Sequence, residues 1–177
     1  MRTLFFSLFL FVPLFFYGQK IESVTIDDFE NIKIVKTTVE KLSKETLSDT
    51  KGQSMFYFES QGNRIYFHLL WQCRGTYVVP QGENAYFLFD DGSKIELKSA
   101  ADALPVAGIA STAWVKPGKV LGLDIPYYSM DITEVIDKKV VKIRIKTTDG
   151  VKDFEVLSKN QKKISEALKL VIQEMDL

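Results

Sequence analysis

The sequence is short of the residues on which most enzyme chemistry depends. Its 177 residues include one cysteine, Cys73, and one histidine, His68. A lone cysteine excludes an internal disulfide, so hydrophobic burial must hold the fold. A lone histidine leaves a Ser–His–acid or Cys–His system with one possible base, and a zinc centre without the ligands it needs. An excess of charge of either sign is missing too. The 23 Lys and Arg residues balance 23 Asp and Glu, which leaves no electrostatic footprint for nucleic acid or an anionic membrane surface. No phosphate-cradling loop occurs, because Gly118 and Gly122 lack the spacing and the Lys-Ser/Thr that such loops carry. There is no cofactor motif, no internal repeat, and no linker that divides residues 19–177.

One long apolar run is present, at the start. Arg2 precedes Leu4 to Phe16, mostly Leu, Phe and Val with Ser7 and Pro13 interrupting, and Tyr17-Gly18-Gln19 follows. A charge, a short apolar run and a small residue come in the order of a secretory signal. As a helix at 1.5 Å per residue the run covers about 20 Å, short of a bilayer core of roughly 30 Å. Residues 1–18 therefore read as a signal peptide, and 19–177 as one domain, exported to the periplasm or secreted, with no stable membrane span after cleavage. A membrane anchor is the lesser alternative; with no cysteine near Gly18, a lipid-modified one is excluded. Losing Arg2 leaves 22 cations against 23 anions, a net charge of about −1.

The clearest folding signal lies at 140–174. Val141, Ile143 and Ile145 alternate with Lys142, Arg144 and Lys146, the period of a strand. Asp149-Gly150 reads as the centre of a type I′ turn. That turn predicts Ile145 opposite Phe154, Ile143 opposite Val156, Lys146 opposite Asp153 and Arg144 opposite Glu155, apolar meeting apolar and cation meeting anion. Ser158 and Gln161 have the spacing of a capping box. Behind them Ile164, Leu168, Val171, Ile172 and Met175 form one stripe of a helix over 158–174.

Upstream, Ile21–Ile26 and Ile32–Val39 read as strands joined by the acidic turn Asp27-Asp28-Phe29-Glu30, and 40–53 as a loop or short helix. Ser54–Ser60 and Asn63–Arg74 read as a hairpin about Gln61-Gly62, pairing Glu59 with Arg64, Phe58 with Ile65 and Phe56 with Phe67. Its second strand sends Ile65, Phe67, Leu69, Trp71 and Cys73 to one face and Tyr66, His68, Leu70 and Gln72 to the other. Neither face is polar, which marks a central strand covered at least partly on both sides. A second Asp-Gly hairpin, turning at Asp91-Gly92, pairs Leu88 with Ile95 and Tyr86 with Leu97. It leaves Phe87 and Phe89 on the opposite face, in need of cover. Residues 99–122 are rich in Ala and Gly with little alternation; a loop so long is functional or conceals an element. Leu123–Tyr128 reads as extended, and Asp131 with Glu134 can cap a short helix through Ile136.

Four places carry a likeness to other proteins: the Asp27-Asp28-Phe29 turn, the Phe-Asp-Asp-Gly hairpin at 89–92, the Ala/Gly segment leading into Pro126-Tyr127-Tyr128, and Val140-Val-Lys-Ile-Arg-Ile145 ahead of the last helix. In these the chain resembles a group of small, uncharacterised, exported β-rich proteins of Bacteroidetes. The resemblance covers most of residues 19–177. It implies export and the fold and brings no activity.

The expected fold is α+β: a mostly antiparallel sheet, rolled or folded into a sandwich, with a C-terminal amphipathic helix packed on it. His68 sits mid-strand with Cys73 on the opposite face, so a sheet-face histidine bonded to a neighbour explains it better than a catalytic base or a metal ligand. Asp90-Asp91-Gly92-Ser93 lacks the alternating ligands and distal Glu of a calcium loop, and a hairpin turn accounts for it. No catalytic residue, metal site or cofactor is therefore assigned. Trp114, Tyr127 and Tyr128, in or beside the irregular segment, are the candidate binding residues, because amphipathic rings stack on ligands or anchor partners; plugging an open end of the sheet is their structural alternative. The expected function is a non-catalytic binding or interaction module of the cell envelope, its partner a protein or small-molecule ligand and not nucleic acid. Its rivals are a hydrolase using paired carboxylates such as Asp102 and Asp124, and a structural subunit of an envelope assembly with Phe87 and Phe89 as its contact patch.

Overall fold

Apolar side chains at every second position give a strand one face to hide, and this chain hides nearly all of them on the same side of a single sheet. The computed structural model describes residues 19–43, 53–73, 76–107 and 121–176. Along the chain come β1 (Ile21–Asp27), β2 (Ile32–Thr37), β3 (Glu40–Lys41), β4 (Gln53–Gln61), β5 (Arg64–Cys73), β6 (Asn84–Phe89), β7 (Lys94–Ser99), β8 (Val106–Ala107) and β9 (Leu121–Tyr128). A 3-10 turn (Ile132–Ile136), β10 (Val140–Thr147), β11 (Gly150–Glu155) and α1 (Ser158–Met175) complete it. The strands pair antiparallel in the order β1-β2-β4-β5-β9-β7-β6-β10-β11, with β3 beside β4 and β8 beside β9. The signal-peptide expectation concerns residues outside the described ones, as do 44–52 and 108–120.

The sheet is one layer and open, but it must curl. Six strand steps separate β2 from β10, a span of about 29 Å if flat at ~4.8 Å per step, whereas a helix is only about 10–12 Å across. Yet α1 packs on β2, β4 and β10 together. Its stripe of Ile164, Ala167, Leu168 and Val171 is buried against Val35, Phe56 and Ile143 in one continuous core. Polar clips hold it in place: Lys163 Nζ lies 2.7 Å from Glu40 Oε2, and the Asn160 amide donates to the Lys41 carbonyl. A lone bridge between Ser43 and Val156 brings the two ends of the curl together without continuing as a ladder. The expected α+β class, a mostly antiparallel sheet with the C-terminal helix packed on it, is thus what the chain forms, as an open, curled sheet rather than a sandwich.

The hairpins keep their expected faces in two cases of three, and each differs in register for a stated reason. In the β10–β11 ribbon Ile143 faces Phe154, Arg144 faces Asp153 and Lys142 faces Glu155, a slide of two residues from the expected pairing. A type I′ turn on Asp149-Gly150 needs positive φ at both, but only Gly150 has it (100°). The turn therefore centres on Thr148-Asp149. In β4–β5 the turn centres on Gly62-Asn63 with φ 58° at Gly62, the first central residue, as a type II′ turn requires. Phe58 then faces Phe67, and Glu59 faces Tyr66 rather than Arg64.

In β6–β7 the slip is one residue, and the faces invert. The loop holds three residues, closed by the Phe89 N–H donating to the Ser93 carbonyl, with Gly92 at φ 82° in its last position. Phe87 now faces Ile95, and Tyr86 and Leu88 lie outside with Glu96 and Lys94. Phe87 and Phe89 are buried, so they form no contact patch. The expected capping box is absent as well. Leu157 is the N-cap residue, its carbonyl accepting from the Asn160 and Gln161 N–H groups. Its own N–H donates to the Leu42 carbonyl, which starts the helix one residue before Ser158 can act as a cap.

Candidate functional site

The outer face of the central strands carries an aromatic row. Because Tyr57 pairs with His68 and Leu70 with Asp124, Tyr57 (β4), His68 (β5) and Asp124 (β9) all point away from the core. The Tyr57 and His68 rings stack with centroids 4.3 Å apart, and Tyr66, two residues before His68 on β5, meets the imidazole edge-on at 6.5 Å. Asp124 bridges the first two. Its Oδ1 lies 2.7 Å from His68 Nδ1, and its Oδ2 accepts the Tyr57 hydroxyl at 3.1 Å. Facing a carboxylate, Nδ1 of a neutral imidazole carries the proton. Lys36 Nζ sits 4.4 Å from the centre of the Tyr57 ring.

The cluster is held together by two hydrogen bonds to Asp124 and by the stacked Tyr57 and His68 rings. Burial, and then the negative charge of Asp124, push the Tyr57 phenol far above its ordinary value of 10.0. Among the described residues no Ser or Thr hydroxyl is hydrogen-bonded to His68, and no group of three metal-ligating side chains occurs. Asp102 is engaged elsewhere, with its Oδ1 accepting the Gln81 N–H at 2.7 Å. The two carboxylates singled out for hydrolysis thus have separate structural partners.

The row ends in a cleft of about 610 Å³ at the turn end of β4–β5, within the range typical of small-molecule sites. Arg64, Tyr66, Gln81, Tyr128, Met130 and Thr133 are among its walls. Phe67 pairs with Tyr127 at the end of the β5–β9 ladder, so Tyr66 and Tyr128, each next to a core-facing residue of its own strand, fall on the outer face, and both line the cleft. Arg64 is exposed, and its side chain has no acid or hydrogen-bond partner among the described residues. A smaller groove of about 280 Å³ on β6–β7–β10 is lined by Tyr86, Leu88, Lys94, Lys142 and Arg144. Two of its cations are already taken: Lys142 meets Glu155 at 2.8 Å, and Arg144 grips both Asp153 oxygens at 2.7 Å. Those hydrogen bonds hold both groups above their ordinary values.

Of the three aromatic residues expected to bind, the two that are described face opposite ways. Tyr128, 40 % exposed, lines the cleft. Tyr127 points the opposite way into the core, at 1 % exposure, and fits the plugging role instead. Trp114 lies outside the described residues. Tyr66 and Arg64 were missed. Alternation along β5 put Tyr66 and His68 on one face, but only the pairing of β5 with β9, some sixty residues later in the chain, brings Tyr66 to Tyr128.

No protein-family model, no curated protein and no solved structure matches this chain. No helix among the described residues is long and apolar enough to cross a membrane.

Proposed function

We propose that this protein is a non-catalytic ligand-binding module of the cell envelope, exported by its N-terminal signal, and that the cleft at Tyr66 and Tyr128 is its ligand site. One observation carries the proposal. Two tyrosine rings and a guanidinium with no side-chain partner among the described residues share the walls of the larger cleft, and one of the rings, Tyr66, meets the His68 ring of the hydrogen-bonded His–Asp–Tyr cluster. Rings of this kind offer large contact area at low entropic cost, and among the described residues of the same walls there is no His, Cys, Asp or Glu. Export rests on the order of charge, apolar run and small residue in 1–18.

Saturation-transfer NMR of the protein against a library of envelope saccharides, peptides and metabolites tests the reading. Binders should lose their signal with the Tyr66→Ala/Tyr128→Ala double variant while it retains the wild-type circular dichroism spectrum. Binders that respond to neither substitution would place the site elsewhere and overturn the reading.

A further inference from the structure

Resting on that reading, we infer that the cleft is built for an acidic saccharide, its ring against Tyr66 and Tyr128 and its carboxylate on Arg64. Three features of the walls converge on that chemistry. Among the described residues that line the cleft, Arg64 carries the formal positive charge and none is Asp or Glu. A guanidinium fork matches a carboxylate through two parallel N–H···O bonds, and here it is not spent on a protein acid. Around it stand neutral donors and acceptors, the amide of Asn63 and the hydroxyl of Thr133, suited to sugar hydroxyls, while the tyrosine faces accept the C–H side of a pyranose ring.

The backbone of the cleft argues against an extended peptide as the occupant. Peptides that bind by strand addition need a free row of main-chain groups. Here the Gly82 N–H donates to Ser99, the Ser99 N–H to Glu83, the Ala100 N–H to Pro126 and the Gln81 N–H to Asp102. Along the 81–82 and 99–100 walls, side chains are therefore what a ligand meets.

The test compares tri-galacturonate with its fully methyl-esterified, uncharged form by isothermal titration calorimetry on the whole domain. A hydrogen-bonded ion pair predicts that wild type binds the acid about tenfold or more tightly than the ester. Arg64→Gln should erase that preference, so that acid and ester bind with equal affinity, whereas Arg64→Lys, which keeps the charge but loses the fork, should fall between. Tyr66→Ala should weaken acid and ester alike. Equal affinity for the two forms, or a preference that survives Arg64→Gln, overturns the acidic ligand while leaving a binding cleft that Tyr66→Ala still disables. Binding of neither form at millimolar concentration overturns the saccharide itself, and the cleft then stands or falls by the library screen.

Discussion

Removing the Asp124 carboxylate should cost far more than an exposed-face aspartate normally does. Asp124→Ala takes away the acceptor for two donors at once, the Tyr57 hydroxyl and His68 Nδ1–H. Tyr57 is buried and the His68 side chain is only 12 % exposed, so neither regains full hydration. A hydrogen bond to a charged group contributes about 1.5–3 kcal/mol, and an orphaned buried donor costs about 1–3 kcal/mol. The Asp124 side chain is 33 % exposed, so water repairs part of the loss and solvent screens the charge. The expected net cost is about 2–3 kcal/mol at pH 7. Tyr57→Phe, which deletes one donor and leaves the His68 bond intact, should cost about 1 kcal/mol. Because both changes remove the same Tyr57–Asp124 bond, the double variant should cost less than the sum of the two. Urea unfolding at constant slope measures all three. His68, the only histidine in the sequence, supplies an independent reading: ring 15N shifts of the untagged protein should report the Nδ1–H tautomer in wild type and lose that preference in Asp124→Ala. A cost below about 0.5 kcal/mol for Asp124→Ala, with the tautomer unchanged, would refute the bridging role.

Three further outcomes follow from the packing and the charges. Tyr127→Phe should be neutral or stabilising in urea, because the buried hydroxyl of Tyr127 donates to no group among the described residues and its removal ends a desolvation cost. Phe154→Ala should destabilise by about 3–5 kcal/mol, since Phe154 is buried opposite Ile143 and meets the Trp71 ring edge-on at 5.5 Å; calorimetry should show a drop of at least several degrees in Tm. Asp91 is held below its ordinary value of 3.8 chiefly by the Ser93 hydroxyl and N–H. In the pH window between its folded and unfolded values the unfolded chain binds the extra proton, so stability rises with pH. Asp91→Asn should therefore be less stable than wild type at neutral pH, and the gap should close as pH falls through the folded-state value.

The faces of the strands were legible because alternation is local: Phe67, Leu69, Trp71 and Cys73 are buried as their spacing requires. The stripe of α1 was legible for the same reason. Register was not, because it depends on which residue of a turn takes positive φ. An Asp-Gly pair permits a type I′ turn without compelling it, and at Gly92 and Gly150 the glycine instead occupies the last position of the loop or follows the turn. At Gly92 that difference of one residue exchanged the buried and exposed aromatics. The capping box failed through a long-range contact, Leu157 to Leu42, that no local pattern encodes. The candidate site was half visible. Tyr128 stood out as an aromatic beside an irregular segment, but its neighbours Tyr66 and Arg64 come from a strand that meets β9 only in the folded sheet.

The central claim is that the cleft at the end of the aromatic row, and not the groove on the far strands, is where a ligand sits. Two-dimensional 1H–15N mapping with a saccharide identified by the library screen tests it most directly. Shifts confined to residues 63–66, 81–82, 99–100 and 128–133 are the expected result. Shifts centred on Tyr86, Lys94, Lys142 and Arg144, with the 63–66 turn unmoved, would contradict it.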